Sequence, residues 1–241
     1  MKLKGNSVNK TRTTMRALVA GVLITLAAGM TTGAEAGVAL GATRVVYPAG
    51  QKQVQLALNS NDEKTTYLIQ SWVENAAGTK DGSFVITPPL FAMQGKKENT
   101  LRIIDATGDK LPKDRESLFW MNVKAIPSMD KSKMNENSLQ LAIISRIKLY
   151  YRPANLTLPP EQAAEKLRFR RSAGALTLIN PTPYYLTVTE LNAGTRILEN
   201  ALVPPLGETS VKLPSDAGSE IKYRTINDYG ALTPPMKGVM Q

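Results

Sequence analysis

Histidine and cysteine are both missing from this sequence. With them go the imidazole bases, the thiolate nucleophiles and most zinc sites. Carboxylates remain, but no Asp or Glu pair stands in a distinctive motif of the kind that two-acid glycan chemistry needs. There is also no glycine-rich phosphate loop. The side chains with most to offer are aliphatic. Leu139, Leu141, Ile143 and Ile147 recur at even spacing, so an extended chain puts all four on one face. They open a β-rich segment, residues 139–151, which follows a polar stretch over 128–138 with no pattern able to bury itself. The chemistry open to such a strand is backbone pairing with insertion of apolar side chains. Soluble proteins normally blunt exposed edges of this sort with charges, prolines or bulges. Periodicity alone leaves two readings: the row is core for its own sheet, or it is kept for another polypeptide.

The elements that must position this row begin after a leader. Lys2, Lys4, Lys10, Arg12 and Arg16 precede an uncharged, mostly apolar run over 17–30, and Ala34-Glu35-Ala36 follows. That is the three-part plan of a secretory signal peptide over 1–36, and the run is short for the alternative, an uncleaved membrane anchor. Without the leader's five basic residues and one acid, 25 basic residues face 19 acidic ones, a net charge of +6. This balance suits acidic partners. No dense basic stripe interleaved with stacking aromatics is present, so nucleic acid is not expected. No other uncharged stretch is long enough to span a membrane, so membrane insertion is not expected either. Without His or Cys no metal or cofactor is called for.

Beyond the leader, short strands alternate with turn chemistry. Strands are expected at 54–58, 67–75, 84–87, around Leu101 and Ile103, and at 118–126, where Phe119, Met121, Val123 and Ala125 share a face. Pro153, Pro159 and Pro160 mark an extended linker. A second series follows at 176–179, 184–191, 210–213 and 221–226, with one helical turn possible at 162–166. Turns every 8–12 residues point to an all-β chain built as two β-sandwich domains, 37–155 and 156–241.

Several long motifs carry a resemblance. Residues 114–127, Asp-Arg-Glu-Ser-Leu-Phe-Trp-Met-Asn-Val-Lys-Ala-Ile-Pro, closely resemble the signature of the periplasmic pilus (fimbrial) chaperones, the PapD-like family. Residues 41–48, 144–153 and 180–185 add to it, and the similarity runs through the whole chain after the leader. The resemblance implies two immunoglobulin-like domains in a boomerang arrangement, with a cleft between them. Clients of such proteins are pilus subunits and adhesins whose own fold lacks a strand, and the chaperone lends one of its own. It then delivers the client to an outer-membrane usher without nucleotide.

On this resemblance Leu139, Leu141, Ile143 and Ile147 bind the client as the donor strand. Arg44 and Lys148 hold its C-terminal carboxylate, and Glu116, Arg152 and Asp228 form an interdomain salt bridge. The location implied is the periplasm, no catalytic residue is expected, and the exposed edge leaves self-association of the free chaperone open. The competing reading is a pilus subunit or adhesin. Such proteins usually carry a cysteine pair and an alternating apolar N-terminal extension, and this sequence has neither.

Overall fold

The computed structural model describes residues 37–129 and 140–241. The leader at 1–36, Leu139 and all but the first two residues of the polar stretch at 128–138 lie outside the described residues. Among the described residues nine strands make the first half: β1 (Val38–Leu40), β2 (Arg44–Pro48), β3 (Val54–Ser60), β4 (Tyr67–Asn75), β5 (Phe84–Thr87), β6 (Leu90–Met93), β7 (Glu98–Asp105), β8 (Ser117–Pro127) and β9 (Ile143–Arg152). They form two sheets, ordered β1-β3-β7-β5 and β2-β9-β8-β4-β6. All pairs are antiparallel except β2 with β9.

Alternation builds the core between these sheets. Leu56 and Leu58 of β3, Leu101 and Ile103 of β7, and Phe84 and Ile86 of β5 face Ile69, Val73, Phe119, Met121, Val123 and Leu149. Tyr47 closes one end, stacked on Tyr151 and tilted against Phe84. Its hydroxyl donates to the Gln51 carbonyl and accepts from the Asp105 amide, so this buried phenol is satisfied at both ends.

A short helix, α1 (Pro160–Ala163), and a 3-10 turn (Ala164–Lys166) lead into a second set of strands. These are β10 (Arg168–Ser172), β11 (Ala175–Asn180), β12 (Leu186–Ala193), β13 (Arg196–Ile197), β14 (Ala201–Val203), β15 (Gly207–Lys212), β16 (Ile221–Thr225), β17 (Met236–Lys237) and β18 (Val239–Met240). Their sheets run β15-β11-β10-β18 and β13-β12-β16-β17, with β14 also on β12. A separate core fills the space between them, including Phe169, Leu176, Leu178, Val188, Val203 and Tyr223. The all-β, two-sandwich expectation therefore describes the molecule. Among the described residues no helix is long and apolar enough to cross a membrane.

Candidate functional site

The donor-strand candidate is β9. Its odd-numbered side chains start in the core and end in solvent. Leu149 is fully buried and Tyr151 nearly so, Ile147 is half-buried against the same core, and Ile143 and Leu141 are 53% and 67% exposed. The cause lies in what surrounds each position. Ile147 sits opposite Met121 and Ile143 opposite Ala125 on β8. On its other side β9 is covered by β2 only from Lys148 to Arg152. Among the described residues nothing pairs with the outer edge of Ile143–Ile147, and Leu141 precedes the strand altogether. The sequence-predicted row is therefore divided: Ile147 is largely committed to its own sandwich, Leu141 and Ile143 stand free of it, and Leu139 is outside the described residues. Ile144, on the opposite face, is also 53% exposed, although the period-two row passed it over.

The two cations meet because β2 and β9 run parallel with Arg44 directly beside Lys148. Alternation keeps both off the core face, where Val45 and Leu149 point. Arg44 is buried; its Nη1 donates to the Ile226 carbonyl of the second domain, 3.0 Å away, and its Nε has no partner. Neither cation pairs with a carboxylate among the described residues. Burial, and then the charge of Arg44, pull the Lys148 ammonium below the usual lysine range. Two adjacent cations, partly dehydrated and without an acid, form a ready site for an anion. Guanidinium can bind a carboxylate through a planar fork, and ammonium as a point charge.

Glu116, Arg152 and Asp228 are brought together at the junction of the two domains. The Arg152 Nε donates to Glu116 Oε1 at 2.7 Å, and its two terminal nitrogens donate to Asp228 at 2.6 and 2.8 Å. Burial works against the Arg152 charge, yet the hydrogen bonds and charges of the two acids hold it above its ordinary value. Glu116, only 2% exposed, is pushed up by burial, while Arg152 and the Tyr185 amide favour its ionised form.

The motif at 180–185 supplies the other half of this contact. Asn180 donates to the carbonyls of Tyr184 and Pro204 and accepts from the amide and hydroxyl of Thr182, which fixes the turn. That turn then presents the Pro183 carbonyl to the Glu116 amide and the Tyr185 amide to Glu116 Oε2. Tyr185 also stacks on Tyr150, with ring centroids 5.8 Å apart. Sequence reasoning missed Trp120, Tyr150 and Ile226. Their contributions depend on strand register and on a backbone carbonyl, neither of which residue types reveal.

With the site laid out, its class is clear from comparison. Residues 37–157 match the family described as "Pili and flagellar-assembly chaperone, PapD N-terminal domain". Residues 162–236 match "Pili assembly chaperone PapD, C-terminal domain". The chain belongs to the PapD family of pilus-assembly chaperones.

Among its relatives, the chaperone protein FimC of Escherichia coli K12 is 76% identical over 241 residues, spanning 100% of both chains. FocC of Escherichia coli is 68% identical over 207 residues, 86% of this chain and 91% of that protein. The crystal structure of the periplasmic chaperone SfaE is 65% identical, with a TM-score of 0.76 over 84% of this chain and 100% of its own. A Salmonella enterica structure of the SafB chaperone in complex with SafA pilin is 32% identical, with a TM-score of 0.76, covering 84% and 95% of the two chains.

Proposed function

We propose that this protein is a periplasmic, non-enzymatic chaperone that binds pilus subunits and adhesins by lending them β9. One observation carries this reading. The outer edge of Ile143–Ile147 has no β partner among the described residues, while the aliphatic row on that strand runs out of the core into solvent at Ile143 and Leu141. An added strand would find unpaired N–H and C=O groups along the edge. Its own fold would receive Leu141 and Ile143, and Leu139 if the row continues, while Ile147 lies at the rim. Backbone pairing alone does not fix register, because a period-two pattern slips. Arg44 and Lys148, at the inner end of the free edge, supply the fixed point by gripping the client's terminal carboxylate. Glu116, Arg152 and Asp228 hold the second domain beside that grip. The two domains divide near 155, and the leader at 1–36 directs export.

Delivery to an outer-membrane usher follows from the same reading, as does the option of two free chaperones covering each other's edges. The complex of SafB with a pilin, in a structure 32% identical to this chain, supports the choice of partner.

The test is stoichiometric capture. Wild type co-expressed with a pilus subunit should yield a 1:1 complex from a periplasmic extract. The double variant Leu141→Asp, Ile143→Asp should fold and yield none. Capture by that variant at the wild-type level would overturn the donor-strand assignment.

A further inference from the structure

Lys148 is flanked on the β2 side by Arg44 and on the β8 side by Trp120. Strand register makes Arg44, Lys148, Trp120 and Glu74 one row across β2, β9, β8 and β4. The Lys148 ammonium lies 5.9 Å from the centroid of the Trp120 ring, and the Arg146 guanidinium lies 4.1 Å from the same ring. Arg146 is in turn paired with Glu74 at 3.1 Å, and Glu74 accepts the indole N–H of Trp72. The acid of this row is thus engaged two strands away from Lys148, with the indole between them.

We propose that Trp120 is a positioning residue for the carboxylate anchor: its ring face holds Lys148 charged and aimed beside Arg44, without offering it a competing anion. This rests on the reading that Lys148 and Arg44 take the client's C-terminal carboxylate. The physical argument is one of competition. A half-buried ammonium next to a guanidinium repels it and would swing away or lose its proton. An Asp or Glu at position 120 would hold it, but would also neutralise it and have to be displaced by the client. The electron-rich face of an indole attracts a cation without carrying net charge, so it restrains the ammonium yet yields to a real carboxylate. Arg146, in contact with the ring and paired with Glu74, restrains the indole beside Lys148.

The probe is a peptide copying a subunit's C-terminal strand, with either a free carboxylate or a C-terminal amide, titrated onto the full-length chaperone. Trp120→Leu should weaken the carboxylate peptide by about tenfold, the scale of one lost cation–π contact. It should leave the amide peptide unchanged. Trp120→Phe, which keeps an aromatic face, should recover most of the affinity. In a Lys148→Gln background Trp120→Leu should have no further effect, since the group it positions is gone.

The two readings fail differently. If Lys148→Gln binds both peptides as wild type does, the carboxylate anchor itself is wrong. If Lys148→Gln discriminates but Trp120→Leu does not, or if the two losses add in full, the positioning role is wrong. Should Trp120→Leu fold poorly, Trp72→Phe leaves Trp120 as the sole tryptophan. Its emission should change on binding the carboxylate peptide but not the amide. An identical response to both would overturn the inference.

Discussion

At the scale of single residues, the anchor makes its own pH prediction. Lys148 titrates below the ordinary lysine value of 10.5, through burial first and the Arg44 charge second. A carboxylate needs the charged form, so client affinity should be flat at low alkaline pH. It should fall as pH rises through the depressed value, before reaching the unperturbed one. Arg44→Ala removes the repulsive neighbour, so it should lower the plateau affinity yet move the fall to higher pH. Titration calorimetry across this range reads both effects, and a fall-off that Arg44→Ala leaves in place would show that the two cations act apart. Charge reversal is harsher. Lys148→Glu puts an anion where one is to be received and should weaken binding by at least about 100-fold, given roughly 1.5–3 kcal/mol for each charge-assisted bond lost. A variant that still protects a subunit from aggregation would remove the anchor. None of this pairing is visible in the residues as such. Arg44 and Lys148 are far apart in the chain and adjoin only because β2 and β9 pair in parallel. A similarity of motifs could nominate them; the register shows why they lie side by side.

At the scale of the element, the donor-strand proposal gives β9 two employments, and substitutions should separate them. Leu149 is fully buried, so Leu149→Ala should cost about 2–5 kcal/mol of stability through lost contacts and a cavity. Ile143→Asp lies on the same face of the same strand but half in solvent, so its effect on unfolding should stay within about 0.5 kcal/mol. Client capture should respond in the opposite sense, abolished by Ile143→Asp and retained by Leu149→Ala wherever the latter stays folded. Chemical denaturation with co-purification checks both. If Ile143→Asp unfolds the chaperone as Leu149→Ala does, the outer row is core after all.

The alternation that marks this strand was legible, as were β4 at Tyr67–Asn75, the buried face of β8 and the helical turn near 162–166. What periodicity could not say was where along the row the core stops, because that depends on how far β2 extends. Strand β10, Arg-Phe-Arg-Arg-Ser, went unrecognised for a related reason. Its arginines reach outward, Arg171 to the carbonyls of Ala217 and Gly218 and Arg170 to Glu208, so only Phe169 carries an apolar signal. The two-residue strands β17 and β18 exist only through tertiary partners, and β13 only as the short return of a hairpin on β12.

At the scale of the molecule, two separately cored sandwiches meet through polar contacts and through the stacking of Tyr150 on Tyr185. Arg152 stands at the end of β9, so the proposed donor strand is continuous with the residue that grips Asp228. The same junction places the Ile226 carbonyl on Arg44, two residues before Asp228 in the chain. The proposed carboxylate grip and the domain junction therefore share one turn. That turn is held by Asn227, whose side chain accepts from the amides of Tyr229 and Ala231, and by Gly230 at positive φ.

Arg152→Ala should act on both. Glu116 is left buried without its cation, a loss of about 3–5 kcal/mol for a broken buried pair. Asp228 is released at the same time, and the turn keeps only the Arg44 bond to the Ile226 carbonyl and the close packing of Gly230 on Thr43 among the contacts named here. Small-angle scattering should show a broader distribution of interdomain distances. The carboxylate peptide should bind more weakly although Lys148 and the free edge of β9 are untouched. Arg152→Lys should not rescue, since an ammonium cannot donate along the three directions the guanidinium uses here. If Arg152→Ala scatters and binds as wild type does, the junction does not set the cleft, and the coupling between hinge and grip is absent.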